Sequence, residues 1–522
     1  MTERKGIIRA AGVVGGATVL SRVLGLVRDA VMAFLFGATP AADAFFVAFR
    51  IPNLMRQLFG EGALASSFVP VYTDVLEHGG EEEARRLTDG LFTMVLLLLA
   101  AISLAGILLA PLVVRCIAFG FEPGSDIFHL TVLLTRWMFP YTLLICVAAL
   151  GMGLLNANRH FLIPALAPAL LNICIIGFAL GISPKVERPI LALAWGVLVG
   201  GVLQVLIQWY PLRQRRVLPR LTASLISPGT KRVLVMMVPA ALGVAVYQVN
   251  MLVDTLLASF LPRGSITYLW YGNRMVQFPL GVFGIALATA ALPTLSRQFS
   301  EGRREDFTGT VSFALSLTAF IGLPAALGLM VLKEPIMATL FARGAFGGAE
   351  VDGAAKAMMF YSLGLPFFIG VKIFGRAFYA MENTRIPFAA ATASMVTNVI
   401  LNLLLMGPLL HGGLALATSL SSFLNFAILA VAFTGRTGTP WLSAEMMKDA
   451  GKSLLSALIM SAVVLFAATR MSWLETGTGS RIAGLVGCMA LGIIVYSGSA
   501  LVMGSSGAAA VRDRFSGREK LK

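Results

Sequence analysis

The chain has 522 residues, of which 57% are hydrophobic and only 13% are charged, and its mean hydropathy is +0.83. Soluble globular chains carry about 25% charged residues, so this composition excludes an ordinary soluble domain and makes lipid the main solvent of the protein. The net charge of +15 would suit nucleic-acid binding, but the basic residues are not gathered into one domain, and we expect no nucleic-acid partner.

Apolar stretches long enough to cross a bilayer recur along the whole chain. A helix needs about 18 or more apolar residues to span about 30 Å of hydrocarbon. In chain order, the candidate segments are 12–36, 42–74, 88–118, 128–154, 161–182, 190–212, 233–261, 267–296, 307–332, 354–381, 386–407, 412–435, 450–470 and 481–504. The sequence therefore predicts an all-α integral membrane protein with about 14 transmembrane helices. Between the second and third segments, the polar stretch 77–86 is typical of a solvated loop.

The basic residues fall into alternate loops between the predicted helices. Clusters at 4–9, 85–86, 213–232, 297–304 and 512–522 lie on one side of the predicted membrane, and the opposite loops hold far fewer. The positive-inside rule places this side in the cytoplasm, together with both termini. The first segment contains Arg22, Arg28 and Asp29 and lacks a small-residue cleavage site, so we expect it to stay in the protein rather than act as a signal peptide.

Cysteines and histidines give no sign of an enzyme or of a His-ligated metal. The four cysteines, Cys116, Cys146, Cys174 and Cys488, are scattered singly through apolar stretches and are interpreted as packing residues. The four histidines lie at helix ends or in loops. A membrane enzyme acting on polyprenyl phosphates would need converging acid–base groups or a metal site, and the sequence suggests neither.

The chain resembles itself at an offset of about 223 residues, and parallel repeats of this kind are common in transporters. Ile163-Pro164 is similar to Ile386-Pro387, and Leu-Ala-Leu-Ala occurs at 191–194 and again at 414–417. These echoes predict two parallel six-helix lobes, 1–220 and 221–438, of the kind that usually encloses a midplane site, followed by 439–522 with two additional helices and a basic tail. An ancient duplication kept only for packing is the alternative. The spacing of Gly196 and Gly200 predicts close packing of helices.

Charged residues inside the first two apolar segments are the strongest local signal. Each charge at a helix centre costs about 2.5–3.5 kcal/mol in lipid, so these side chains are expected to face water or each other. Spacings of seven residues place Arg22 with Asp29, and Asp43 with Arg50, on shared helix faces. The alternative is that the charges only pair among themselves to lock the helices. The set is Arg22, Arg28, Asp29, Asp43, Arg50, Arg56 and Glu61.

The second half contributes further intramembrane cations. Arg274 lies within an apolar segment, Lys372 and Arg376 are four residues apart, and Arg136 adds another cation in the first half. Because arginine binds phosphate oxygens through two parallel N–H groups, a cavity richer in arginine than in carboxylate indicates a phosphate-bearing cargo.

A second polar set combines carboxylate, amide and hydroxyl oxygens. If the helices converge, such oxygens suit a hard cation such as Na⁺, whereas plain interhelical hydrogen bonding is the alternative interpretation. Asn250 lies one turn before the carboxylate of this set. The candidate cation site consists of Asp254, Asn398, Asn402 and Thr418.

The run from Ser21 to Tyr72, SRVLGLVRDAVMAFLFGATPAADAFFVAFRIPNLMRQLFGEGALASSFVPVY, resembles the N-terminal signature of the MurJ (MviN) lipid II flippase family. The resemblance continues through FPYTLLI, LNANRHFLIPALAPALLNI and FPLGVFGIALAT, and so covers nearly the whole chain. It implies the fourteen-helix fold of the multidrug/oligosaccharidyl-lipid/polysaccharide (MOP) exporter superfamily, with two six-helix lobes around a central cationic cavity, in the bacterial cytoplasmic (inner) membrane. It also implies that the two final helices help to form a groove for the polyprenyl tail.

The resemblance also implies roles for particular residues. Substrate-binding residues are expected at Arg22, Arg28, Arg50, Arg56, Arg274 and Lys372, and gate or orienting residues at Asp29, Asp43 and Glu61. Asp254, Asn398, Asn402 and Thr418 match positions that resemble a cation site in some members. The chain departs from some members at Asn273, Gln277 and Asn402, which stand where those members carry acids. These changes make the expected cavity more positive.

The resulting expectation is a transporter that moves the undecaprenyl-diphosphate-linked peptidoglycan precursor (lipid II) from the cytoplasmic to the periplasmic leaflet by alternating access. Arg22, Arg28 and Arg274 are expected to clamp the diphosphate. Apart from Na⁺ at the candidate site, no cofactor is expected, and the partners are lipid II (undecaprenyl-diphosphate-MurNAc-pentapeptide-GlcNAc), membrane lipids and other cell-wall synthesis proteins. The alternatives are a MOP-superfamily exporter of another polyprenyl-linked glycan or of drugs and cations, and a non-transporting scaffold.

Overall fold

The computed structural model describes residues 2–57, 63–505 and 507, and the described residues form helices joined by short loops. Among the described residues, ten helical segments are long and apolar enough to cross a membrane, one of them being the continuous segment 265–300, and a bent pair of helices makes up to eleven. The helices are α1 (Thr2–Phe36), α2 (Pro40–Met55), α3 (Ala63–Leu108), α4 (Ala110–Ile117), α5 (Asp126–Ala157), α6 (Leu162–Gly181), α7 (Leu191–Gln214), α8 (Pro228–Ala258), α9 (Ser265–Pro279), α10 (Ile285–Ser300), α11 (Arg304–Val331), α12 (Lys333–Phe341), α13 (Gly348–Leu363), α14 (Leu365–Ala380), α15 (Arg385–Leu409), α16 (His411–Thr437), α17 (Ala444–Ala468) and α18 (Thr478–Val502).

The chain forms two compact units, Met1–Gly264 and Ser265–Lys522. In the first unit, α5 is the central helix and packs against α2, α3 and α7. Its most apolar window is 78% buried, against 33% for α6. Glycines permit the close approaches: a Cβ on Gly201 would lie 2.6 Å from the ring of Tyr141, and one on Gly200 would lie 3.1 Å from the Cα of Leu171. The close packing predicted from the Gly196–Gly200 spacing is therefore confirmed, between α7 and α6.

In the second unit, α13 packs against α9 and α16, and α14 packs against α10, α11 and α16. An aromatic cluster that includes Phe374, Phe426 and Phe433 holds α14 and α16 together, and Trp441 covers it with its ring at 5.6 Å from that of Phe374. Between α9 and α10, residues 280–284 form a π-helical turn, so the two helices continue one another without a break.

The two C-terminal helices are fastened to the second unit. Helix α17 packs on α11 and on α18, and α18 also contacts α12. The guanidinium of Arg481, at the start of α18, donates hydrogen bonds to the carbonyls of Thr476 (2.8 Å), Leu474 (2.6 Å), Ala342 (3.0 Å) and Ala338 (3.3 Å). The latter two lie at the C-terminal end of α12, where a cation is favoured by the helix dipole. One side chain thus joins α18 to α12.

Two details differ from the sequence prediction. The polar stretch 77–86, expected to be a loop, is helical on both sides of Gly80, whose backbone alone leaves the helical region (φ 80°, ψ −178°). Pairs spaced four residues apart, such as Glu82 with Arg86 at 2.6 Å, stabilise this solvated helix. The predicted segment 354–381 is a pair of helices, α13 and α14, that meet at Gly364 with a bend of 43°.

Candidate functional site

Two buried residues of opposite charge lie side by side on α1 in the first unit. The guanidinium of Arg28 donates from Nη2 (2.6 Å) and Nε (3.1 Å) to Oδ1 of Asp29, and from Nη1 (3.2 Å) to Oδ1 of Asn172 on α6. Asn172 in turn donates to the carbonyl of Ser21 at 3.2 Å. Arg28 is 8% exposed and Asp29 is fully buried. The pair is therefore held by hydrogen bonds from two helices, which is what a buried ion pair requires.

Arg22 lies about two turns before Asp29 on α1 and has a different environment. Its side chain is partly exposed, and it forms no ion pair within the part of the chain that the structure describes. Arg22 therefore keeps its guanidinium available to an anion, whereas the guanidinium of Arg28 is already bound by Asp29 and Asn172. The spacing of seven residues predicts a shared helix face for Arg22 and Asp29, and the ion pair with Asp29 is formed by the adjacent residue, Arg28.

Two further arginines lie on and after α2. Arg50 and Arg56 are both partly exposed, and Arg56 donates from Nε (3.2 Å) and Nη2 (3.1 Å) to Oδ1 of Asn53 one turn earlier. These two hydrogen bonds hold the Arg56 side chain against the last turn of α2, just after Pro52. Glu61, a predicted gate residue, lies outside the described residues.

Asp43 supports the loop that follows α8. Its side chain is 3% exposed, and its Oδ2 accepts a hydrogen bond of 2.6 Å from the backbone N–H of Gly264. Gly264 has a φ of +88°, which favours glycine. Nearby, the hydroxyl of Ser259 accepts from the N–H of Gly120 at 2.9 Å. Asp43 thus fixes the end of α8 against α2 within the first unit.

The predicted cations of the second unit are accessible. Arg274 on α9 is partly exposed and lies less than two turns before the π-helical turn at 280–284, a type of distortion that is common at functional sites. Lys372 is exposed and Arg376, one turn later on α14, is partly exposed, although the bent pair α13–α14 qualifies as a membrane span. Arg136 on α5 of the first unit is also exposed. Accessible cations in membrane-spanning helices are expected to border water.

The candidate cation residues belong to both units, Asp254 to the first and Asn398, Asn402 and Thr418 to the second. In the first unit, Nδ2 of Asn250 lies 3.5 Å from Oδ2 of Asp254. In the second, Asn402 donates to Oδ1 of Asn398 at 2.8 Å, and Asn398 donates to Oγ1 of Thr418 at 3.4 Å. Asn398 and Asn402 are buried. The oxygen types suit a hard cation. Oδ1 of Asn398 already accepts the hydrogen bond from Asn402, one turn later on α15, and Na⁺ binding remains a prediction.

Sequence reasoning missed Asn172, which fixes Arg28. An amide inside the apolar run of α6 was its only signal, because such amides usually bond across helices. Arg481 and Gly264 were not predicted either, because each forms hydrogen bonds with residues that are distant in sequence.

The described helices, with charged residues inside apolar spans, define the class of many-spanning membrane proteins. The structure is similar to an inward-facing multidrug resistance MATE family transporter of the MOP superfamily, with a TM-score of 0.70 over 82% of this chain and 98% of that chain. At 15% identity, this likeness concerns the fold alone. The chain belongs to the lipid II flippase MurJ family, because the family model "Lipid II flippase MurJ" matches residues 32–485.

Individual relatives agree with this family over nearly the full length. The chain is 36% identical over 514 residues to a probable lipid II flippase MurJ of Vibrio cholerae serotype O1, which covers 97% of each protein. It is also similar to the solved structure "Lipid II flippase MurJ, inward closed conformation", with a TM-score of 0.79, 27% identity, and coverage of 96% of this chain and 98% of that chain. The family resemblance seen in the sequence is confirmed.

Proposed function

We propose that this protein is a lipid II flippase, a transporter that carries the lipid-linked peptidoglycan precursor from the cytoplasmic to the periplasmic leaflet of the bacterial inner membrane. The observation that carries the proposal is the near full-length match to proteins named lipid II flippases. The physical task is clear: an ionised diphosphate with attached sugars and peptide cannot enter about 30 Å of hydrocarbon, because desolvating an isolated charge costs tens of kcal/mol. A polar passage removes this barrier.

In the proposed cycle, Arg22 makes the first contact with the diphosphate and Arg28 the second. Arg22 is partly exposed, whereas Arg28 is held by Asp29 and Asn172. Phosphate oxygens bind the Arg28 guanidinium beside the Asp29 carboxylate, so neither buried charge loses its counterion during the step. Asp29 is then an orienting residue, because it holds the guanidinium of Arg28 in position.

Arg50, Arg56, Arg274 and Lys372 complete the proposed cationic lining, and the tail of the lipid remains in the membrane beside α17 and α18. Alternating access then exposes the head group to each side in turn. Asp43, through its bond to Gly264, and Glu61 are the proposed gate residues. The membrane potential, worth about 2.3 kcal/mol per charge per 100 mV, and Na⁺ at Asp254, Asn398, Asn402 and Thr418 are the proposed energy sources.

The proposal includes a topology. Helices α1, α2 with the start of α3, and α8 supply three spans in addition to the eleven described above, giving fourteen. The lobes are 1–220 and 221–438, followed by 439–522, and both termini are cytoplasmic. Other cell-wall synthesis proteins are proposed partners.

Depletion of the protein in a host without a second flippase tests the function. The measurement is the accessibility of lipid II on the outer leaflet, with complementation by the wild type, Arg22→Ala, Arg22→Lys and a matched exposed arginine, Arg304→Ala. We expect exposure to fall on depletion and to be restored by the wild type and Arg304→Ala, but not by Arg22→Ala. Arg22→Lys should restore it in part, because it keeps the charge without the bidentate geometry.

Unchanged exposure of lipid II after depletion would reject the flippase assignment. Full complementation by Arg22→Ala would leave that assignment intact but reject Arg22 as the first phosphate contact.

A further inference from the structure

A cavity of about 370 Å³ lies in the first unit between the start of α6 and the end of α7, and its lining residues come from these two helices and the loop before α6. Its walls are apolar and include Ile163, Ile207 and Pro211. It opens outward, since Tyr210 on its rim is 69% exposed and Leu162 is 45% exposed. Its size is within the range of small-ligand sites, about 300–1,000 Å³. The shape and lining suit an alkyl chain.

The cavity lies where two membrane-spanning helices reach the interface with water. The exposed Tyr210 and its neighbour Trp209 are the residue types that concentrate at the head-group level of a bilayer. Helix α6 begins at Leu162 and α7 ends at Gln214, so the cavity opens beside these two helix ends. The mouth of the cavity is therefore expected at the level of the lipid head groups.

The mouth of the cavity is basic. Nη1 of Arg215 donates to the carbonyl of Asn158 at 2.7 Å, which positions this guanidinium beside the loop between α5 and α6. Arg159 and Arg216 are exposed as well, and both adopt positive φ, at 57° and 60°. Among the described residues, none of these three arginines forms an ion pair with a carboxylate. Their charges are therefore uncompensated within that part of the protein.

A neutral hydrogen-bonding group also faces the cavity. Nε2 of His160, one of the lining residues, is buried and has no hydrogen-bond partner among the described residues. Burial, and secondarily the positive charge of Arg215, lower the pKa of His160 below its usual value. The imidazole is therefore neutral at pH 7 and can donate or accept a hydrogen bond, while leaving a buried polar atom unpaired is unfavourable.

We propose that this cavity binds one anionic phospholipid, with an acyl chain against Ile163, Ile207 and Pro211 and the phosphate beside Arg159 and Arg215. Nε2 of His160 then bonds to the phosphate or the glycerol oxygens. Basic pockets between the ends of membrane helices are suited to anionic head groups, and the apolar wall favours a lipid over a free phosphate. This site is separate from the proposed path of lipid II.

Native mass spectrometry of the full-length protein in detergent tests the proposal, with dioleoyl phosphatidylglycerol as the probe and phosphatidylcholine as the uncharged reference. Removing both charges in Arg159→Gln/Arg215→Gln should weaken phosphatidylglycerol binding about 30-fold at low salt, since each basic residue near an anionic head group contributes about fivefold. The matched control, Arg304→Gln/Arg385→Gln, removes two exposed arginines elsewhere and should leave binding unchanged.

Two further arms separate the head group from the tail. Ile163→Trp fills the cavity and should weaken phosphatidylglycerol binding at unchanged surface charge, and glycerol 3-phosphate at equal concentration should not displace the lipid. Thermal unfolding of each variant verifies that it is folded. Equal affinity of the double variant, equal binding of phosphatidylcholine, or displacement by glycerol 3-phosphate would each overturn the proposal.

Discussion

At the scale of residues, the Arg28–Asp29 pair places two opposite charges in the interior of the first unit. Both side chains are nearly or fully buried, and Asn172 binds the guanidinium from a second helix. Desolvating two charges costs free energy, and their mutual attraction offsets this cost only while both partners are present. The pair is therefore sensitive to the loss of either member.

A double-mutant cycle measures this coupling. Asp29→Asn and Arg28→Met should each lower the free energy of unfolding by about 3–5 kcal/mol, because each leaves a buried charge without its counterion. The double variant should lose much less than the sum. The measurement is unfolding of the purified protein in detergent.

The matched control is the exposed pair Glu82–Arg86, which has the same separation of 2.6 Å. The corresponding cycle, Glu82→Gln and Arg86→Met, should show a coupling of only about 0.3–0.5 kcal/mol. Additive losses at Arg28 and Asp29 would contradict the buried-pair interpretation.

The sequence identified the charged residues of α1 because charges rarely occur in apolar segments, but it did not identify their partners. Helical spacing predicts which residues share a face, but it does not show that a side chain as long as arginine reaches its immediate neighbour, as Arg28 reaches Asp29. Asn172 comes from a helix that is distant in sequence, and no local pattern reports such a contact. The candidate site was thus predictable in composition but not in pairing.

At the scale of elements, Arg481 determines how the last two helices join the second unit. Its guanidinium binds the carbonyls of Ala338 and Ala342 at the end of α12 and two carbonyls before α18. Hydrogen bonds from a charged donor contribute about 1.5–3 kcal/mol, more than neutral ones. This side chain therefore supplies a large share of the attachment at that end of α18.

Arg481→Ala should lower the free energy of unfolding by about 2 kcal/mol and increase hydrogen exchange in residues 333–347, because the end of α12 loses its donor. Arg481→Lys should recover less than half of this loss, since an ammonium group cannot reach all four carbonyls. Arg470→Ala is the control: this arginine is exposed and lies over the ring of Phe466, a contact worth about 0.5–1 kcal/mol. Unchanged exchange in 333–347 after Arg481→Ala would disprove the attachment.

Most elements were predictable because spans of lipid-compatible length leave a strong apolar signal. The helical state of residues 77–86 was not, since polarity and two adjacent glycines resemble a loop, while salt bridges four residues apart stabilise a helix. The bend at Gly364 was equally hidden, because the apolar signal of 354–381 is continuous across it.

At the scale of the whole molecule, the proposed topology determines which segments meet which compartment. Cys116 on α4 is exposed and is predicted to be periplasmic, whereas Ser224, also exposed, is predicted to be cytoplasmic. A membrane-impermeant maleimide should therefore label Cys116 in intact spheroplasts and should label a Ser224→Cys variant at the new position only after lysis. Cys146, which is buried, serves as the unlabelled internal control. Labelling of Cys116 only after lysis would invert the topology.

The π-helical turn at 280–284 carries one residue more per turn than an α-helix does. Each residue of an α-helix rotates the following side chains by about 100°. Arg274 precedes this turn and α10 follows it. The extra residue therefore determines how far the packing face of α10 is rotated about the helix axis from the side on which Arg274 lies. A chain shortened by one residue here would still form a continuous helix, but with Arg274 and α10 out of phase.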